Sequence, residues 1–398
     1  MKTLISKNRP SHTGLDFISA AFASPTAVGK FERAFARKVG TTFAVTFPYC
    51  RVAIQALLEV TTTPGQFVVL PAYTCSVVAH AITRAHLKSH FIDVRAKDFN
   101  APVSTLLEKV DDRTAAIVPT HMYGNRLVLD ELNELSRPMV VIEDASLSMH
   151  PAWKSPNPKL TVATVYSLGS NKILSTIRGG VVATDDFELV NKLREWQSKN
   201  LRASNIRERI VFLLQLAALI GAFGPYLYSV IDRLRYSRLL RHQLDTRSLD
   251  EGTFPSDAMV EFSPSQAALG LRQLPRTELF LHRRQHISQQ YTRAFSGHKE
   301  LIPMTIFDNS HLSHYALRVP NRDKLQVREK LRAAGIESGV TFDYLVPELP
   351  LYRKDTPEKF PNGSTIVREL VNLPNYPALT DKQVGHIIKT ILDIVTSS

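Results

Sequence analysis

Midway along the 398-residue chain, Glu143 and Asp144 end the apolar run MVVIEDA, and Lys172 follows the next β-rich run in VYSLGSNKIL. A continuous apolar stretch such as Met139 to Ile142 implies a strand buried on both faces. Polar residues at the carboxyl ends of such strands line the crevice where open α/β sheets bind ligands. A carboxylate and an amine brought into one crevice suit the binding of a cofactor. The same two groups also occur as a structural ion pair, and Asp144 could equally cap the turn that follows it.

The elements that must position these groups are legible as alternating periodicities. Phe31, Phe35 and Val39 recur at fourfold spacing in GKFERAFARKVG, which predicts an amphipathic helix stopped by Gly40. RVAIQALLEV predicts a second helix. Short β-rich runs then alternate with helical stretches: FVVLPA, HFIDV, AAIVPT, MVVIEDA, VATVYSL and GGVVAT. That alternation predicts an α/β fold with a mainly parallel sheet covered by helices. Residues 1–29 read as polar and irregular. From FSPSQAALGLRQL onward the chain is helical and basic, and SHYALRVPNRDKLQVREKLRAAGI reads as strand, loop and helix, the start of a smaller C-terminal α+β domain. The expected division is a large domain over 1–248 and a small one over 249–398.

The segment Ile210 to Ile231 has no charged residue, with Arg207 and Arg209 before it and Arg233, Arg235, Arg238 and Arg241 after it. It is long enough to span a bilayer. Gly224 and Pro225, however, divide it into two shorter helices, and Gln215 and Ser229 interrupt its apolarity. The expectation is burial in the core or in a subunit contact. The alternative is a peripheral hairpin lying on an anionic membrane face.

Motifs along most of the chain, in order, resemble the DegT/DnrJ/StrS family of sugar aminotransferases, pyridoxal-phosphate enzymes of the aspartate-aminotransferase fold (fold type I). FERAFARKVGTTFAV resembles the family's opening helix and first strand, and GQFVVLPAYTCSVVAHAI the segment leading into its site. AAIVPTHMYGN, VVIEDASLS, VYSLGSNKIL with RGGVVAT, QAALGLRQL, and RAAGI with VNLPNYPALT follow in the family's order. The resemblance implies a large domain with a seven-stranded type of sheet, a small C-terminal domain, a homodimer and pyridoxal phosphate as cofactor. It further implies an amino-acid donor, glutamate, and a keto-sugar acceptor on a nucleotide carrier, in polysaccharide or glycoconjugate biosynthesis.

Carried over by position, Lys172 resembles the lysine that holds pyridoxal phosphate as a Schiff base and then shuttles the substrate proton. Such a lysine must be partly neutral to attack a carbonyl, which a desolvated cationic site favours. Asp144 resembles the acid under the pyridine nitrogen. Ser167 aligns with the family's phosphate-binding serine. The turn before RVAIQALL aligns with its phosphate loop, so that backbone N–H groups of Cys50 and Arg51 at a helix start would meet the dianion. The Arg51 charge stands in for the family's small residues there; read alone, Arg51 begins a helix and faces water. Cys75 stands where the family often places an aromatic ring over the cofactor, a smaller polarizable contact or a buried thiol. Leu147 replaces a polar glutamine, and Met259 falls near the asparagine that reaches across the dimer. Dehydratase relatives have lost the lysine, so Lys172 implies transamination.

Lys plus Arg is 49 and Asp plus Glu is 37, giving 49 − 37 = +12, which favours anionic partners. The apolar stretch between the Arg clusters lacks the polar contacts of a nucleic-acid face, and none is expected. His121, His150, His282, His286, His311 and His314 form no tight set with acids, and no metal site is expected. No Gly-rich nucleotide fingerprint and no Ser/His/Asp motif is recognisable. Two cysteines and a start without a long apolar core point to the cytoplasm. The rival reading is a non-catalytic protein of the same fold, regulatory or membrane-associated.

Overall fold

A computed structural model describes residues 4–222 and 252–396. The strands fall on the predicted runs: β1 (Phe43–Phe47), β2 (Phe67–Pro71), β3 (Lys88–Ile92), β4 (Thr114–Ile117), β5 (Met139–Asp144), β6 (Leu160–Ser167) and β7 (Gly180–Thr184). They form one seven-stranded sheet in the order β1-β7-β6-β5-β4-β2-β3. Neighbours from β3 through β6 are parallel, and β7 is antiparallel to both β6 and β1. All six residues of β5 are buried, as its unbroken apolar run requires of a strand covered on both faces. This is the α/β architecture expected of fold type I.

Helices cover the sheet. α1 (Gly14–Ala21) precedes α2 (Ala27–Val39), which buries Phe31, Phe35 and Val39 and ends at Gly40 in the left-handed conformation, φ 78°. α3 (Cys50–Thr61) and α4 (Ser76–Arg84) follow β1 and β2, α5 (Val103–Glu108) follows β3, and α6 (Phe187–Asn200) follows β7. The first 29 residues are therefore not irregular throughout. Thr13 Oγ accepts from the Asp16 N–H while the Asp16 carboxylate accepts from the Thr13 N–H, a reciprocal cap that starts α1. The same carboxylate is fully buried beneath Arg272 and Arg276, long-range partners that local sequence does not disclose.

α7 (Ile206–Ala222) begins the apolar segment. The expected break at Gly224 and Pro225, the rest of the run to Ile231, and the expected domain boundary between 248 and 249 lie outside the described residues. Among the described residues no helix is long and apolar enough to cross a membrane. Beyond residue 252 come α8 (Pro264–Gln273), capped reciprocally by Ser263 and Gln266, and α9 (Thr277–Phe295). An antiparallel sheet of β8 (Ile302–Pro303), β9 (Tyr315–Arg318) and β10 (Leu370–Leu373) packs with α10 (Lys324–Ala333), α11 (Pro361–Glu369) and α12 (Asp381–Thr396). This part has its own apolar cluster, built on Tyr291, Phe295, Tyr315, Leu331, Ile387 and Ile391.

Candidate active site

Lys172 sits in the tight return between β6 and β7. Its N–H donates to the Gly169 carbonyl at 3.0 Å, and Leu168 closes the loop by donating to Gly179 at 2.9 Å and accepting from Thr176 at 2.9 Å. Gly179 is needed here: it has φ 148°, and a Cβ would lie 2.8 Å from the Phe262 ring. The loop holds Lys172 half-buried at the carboxyl edge of the sheet, beside the end of β5.

There Asp144 is buried, and one carboxylate oxygen accepts from the Ser146 N–H at 2.9 Å. Successive strand residues face opposite sides, and Glu143 accordingly turns away from Lys172. It takes His121 Nε2 at 2.8 Å, the Trp153 N–H at 2.8 Å and the Thr164 hydroxyl. His121 Nδ1 accepts from the Leu127 N–H at 3.0 Å, so Nε2 carries the proton given to Glu143. Burial raises the Glu143 pKa, but the His121, Thr164 and Trp153 donors outweigh it and hold the carboxyl below its usual range. Of the two acids ending MVVIEDA, only Asp144 faces the crevice.

Opposite lies the start of α3. Tyr49 is its extended N-cap residue and supplies no side-chain cap, so the first N–H groups of the helix, at Cys50 and Arg51, have no intrahelical partners. α3 can come this close to β7 because residue 180 is glycine: a Cβ there would lie 2.6 Å from the Cys50 nitrogen. The Arg51 guanidinium leans over the rings of Phe254 at 5.5 Å and Tyr49 at 5.9 Å.

Lys172, Asp144, Ser167, Cys50, Arg51 and Cys75 all line one cavity of about 290 Å³. Leu147 joins them, whereas Met259 packs against the core and gives its carbonyl to the Arg202 N–H at 3.0 Å. Burial pushes both thiols up. Asp144 adds to the rise at Cys50, which Lys172 and Arg51 oppose; at Cys75 the Val77 N–H, Lys172 and Arg51 oppose it. Both are therefore neutral thiols at physiological pH. His314 is driven down to about 3 by burial, then by the Arg284 and Lys172 charges, so it is a neutral ring at physiological pH.

Further members were not legible in the sequence. Thr74 and Thr120 line the cavity with buried hydroxyls that have no partner among the described residues. Arg178 lines it too, with Nε 3.2 Å from Asp257 and Nη1 donating to Gln215 of α7 at 2.9 Å. Asp257 also accepts from the Tyr49 hydroxyl at 2.7 Å. Isolated threonines and an Asp–Arg pair far apart in sequence carry no periodicity; the only available signal was Arg178 beside the glycine pair.

The chain is 28% identical over 381 residues to the spore coat polysaccharide biosynthesis protein SpsC of Bacillus subtilis, covering 92% of this chain and 89% of that protein. It is 24% identical to the GDP-perosamine synthase of Escherichia coli O157:H7, covering 92% of this chain and 89% of that protein. The solved structure of S. venezuelae DesV in complex with a ketimine intermediate superposes with a TM-score of 0.76 at 18% identity, covering 96% of this chain and 95% of that one. That likeness shows the shared fold. The family model described as DegT/DnrJ/EryC1/StrS aminotransferase matches residues 19–251 and 258–392, nearly the whole length, and the chain belongs to that family.

Proposed function

We propose that the protein is a pyridoxal-phosphate-dependent aminotransferase that moves an amino group from an amino acid, glutamate, to a keto sugar on a nucleotide carrier. The observation that carries this reading is that Lys172, Asp144 and the first residues of α3, Cys50 and Arg51, line one cavity. The residues suit the cofactor on three counts: an amine for its carbonyl, an acid for its ring nitrogen, and a helix N-terminus for its phosphate. The orphaned hydroxyls of Thr74 and Thr120 need a polar guest to satisfy them.

When bound, the cofactor supplies an electron sink for a carbanion at the substrate carbon. Lys172 would hold it through its amine, and the Lys172 Nζ would be the group that takes a proton from the substrate carbon and returns it. Asp144 keeps a proton on the ring nitrogen, which an amide at that position would not do. Cys50 and Arg51 N–H groups, with the Ser167 hydroxyl, hold the phosphate. Cys50 and Cys75 pack against the site as neutral thiols, so they add no negative charge beside Asp144. Arg51 and Arg178 at the walls favour anionic groups of the two substrates.

The names of SpsC and GDP-perosamine synthase support a sugar acceptor in surface-polysaccharide chemistry. Family membership supports a homodimer, and the separate apolar cluster around Tyr291 and Ile387 supports a division into domains 1–248 and 249–398. The two free cysteines suit a reducing cytoplasm.

The test is borohydride reduction of the protein with pyridoxal phosphate, followed by peptide mapping of wild type and Lys172→Ala. A pyridoxyl adduct on Lys172 that the variant lacks is expected, with glutamate-dependent conversion of the cofactor to its amine form. No adduct under saturating cofactor would overturn the reading.

A further inference from the structure

α7 is built the reverse of an ordinary surface helix. Its buried side is small, Phe212 and Leu216, while Ile206, Ile210, Val211, Leu214, Ala217, Ala218 and Gly221 form an exposed stripe at helical spacing. Ile206 is 72% exposed and Leu214 64%. α1, which packs beside it around Ala20, Phe212 and Leu216, does the same with Leu15, Ile18 and Phe22, the last 85% exposed. The Arg209 guanidinium ties the two helices by donating to the Ala21 carbonyl at 2.7 Å. Scattered exposed leucines are normal on a protein surface, but two adjoining helices that both turn aliphatic stripes outward require a partner.

Basic groups outnumber acidic ones around this surface, where Glu261 is exposed beside Ile206 and Arg209. The acids of the two helices are Asp16, buried beneath Arg272 and Arg276, and Glu208, bound to Arg202. Arg207 is exposed at the start of α7. In sequence the uncharged run extends to Ile231 and is followed by Arg233, Arg235, Arg238 and Arg241. The stripe is aliphatic, and its one hydrogen-bonding residue, Gln215, is engaged by Arg178. Phe22 is an exposed aromatic ring on this surface, and an apolar face bordered by guanidinium groups matches the boundary between acyl chains and acidic head groups.

We propose that the outer faces of α1 and α7 dock on an anionic lipid surface. Because Arg178 reaches from the cavity wall to Gln215 and lies 5.7 Å from the Phe212 ring, docking places the cavity beside that surface.

The experiment uses the full chain loaded with pyridoxal phosphate, mixed with phosphatidylglycerol vesicles or with phosphatidylcholine vesicles and sedimented. Recovery with the anionic vesicles, little with the neutral ones, and release by salt are expected. Ile210→Glu with Leu214→Glu, and separately Phe22→Glu, alter exposed side chains and should lower the vesicle partition coefficient by on the order of tenfold or more. The cofactor absorption spectrum, read on the same samples, reports folding and tests the aminotransferase reading independently. Wild type left in the supernatant with both vesicles would overturn the proposal, as would variants that pellet like wild type. Variants that lose a subunit contact in sedimentation velocity without losing vesicle binding would reassign the face to a second copy of the chain and equally overturn it.

Discussion

Gly180 and Cys50 meet with no room for a side chain between them: a Cβ on Gly180 would lie 2.5 Å from the Cys50 Cα and 2.6 Å from its nitrogen. The approach sets the start of α3 against β7, so the position of its first N–H groups depends on the missing methyl. Gly180→Ala should push α3 away, cost about 1–3 kcal/mol in stability as overpacking does, and weaken pyridoxal-phosphate binding. Gly221→Ala, where nothing lies within 4 Å, is the control and should leave cofactor affinity unchanged. Absorbance titration with cofactor checks both; equal affinities would separate phosphate binding from this contact.

Lys172 and Asp144 should fail differently. Lys172→Ala removes both the anchor and the proton carrier, and turnover should fall by about 10³-fold or more. Asp144→Asn keeps the shape and the acceptor for the Ser146 N–H, so cofactor should still bind. The lost charge should cost about 10²-fold in kcat, the scale of one preorganised electrostatic contact. Single-turnover conversion of glutamate separates the cases: the Asn variant should react slowly to completion, and the Ala variant should not react on that timescale.

The sheet and this pair were readable because each rests on a local signal. Unbroken apolar runs gave β2 through β7, and Phe31, Phe35 and Val39 before Gly40 gave α2. The missed features are ones whose partners lie far along the chain. α1 is hidden in the sequence because its apolar residues Leu15, Ile18 and Phe22 face outward and its cap uses aspartate at the third helical position. Glu143 and Asp144 are neighbours in sequence, and only the alternation of β5 decides that one joins His121 and the other the cavity. Thr74 and Thr120 are set apart only by hydroxyls that are buried without partners among the described residues.

Acid should destabilise the protein through its buried histidines and Glu143. His314 has a folded pKa of about 3 and His12 of about 4, both lowered first by burial, against about 6.5 unfolded. The unfolded state therefore binds more protons below pH about 6.5, and stability declines from there down toward the folded values. Glu143 is also depressed in the folded state, so its contribution is present above the unfolded carboxyl pKa of about 4.3 and lost as pH falls through its folded value. Urea midpoints at pH 7.5 and 5.5 should thus differ in wild type, and less in His314→Gln. An identical slope in that variant would assign the acid sensitivity elsewhere.

Asp257 joins the Tyr49 hydroxyl at 2.7 Å to Arg178 Nε at 3.2 Å, and so fixes the N-cap residue of α3 from a loop some two hundred residues away. Burial, then the hydrogen bond to Asp257, pushes the Tyr49 phenol above its ordinary pKa, so it remains a proton donor throughout the useful pH range. The Asp257 side chain is 31% exposed and that of Arg178 18%, so solvent screens the ion pair and its share is about 1 kcal/mol at most. Asp257→Ala should therefore leave the fold intact and raise the cofactor Kd by about fivefold, the equivalent of about 1 kcal/mol. Tyr49→Phe breaks one arm of the same bridge, so the double variant should lose less than the sum of the two single losses. Strict additivity in cofactor titrations would mean that Asp257 acts on the site through Arg178 alone, with Tyr49 held by its backbone.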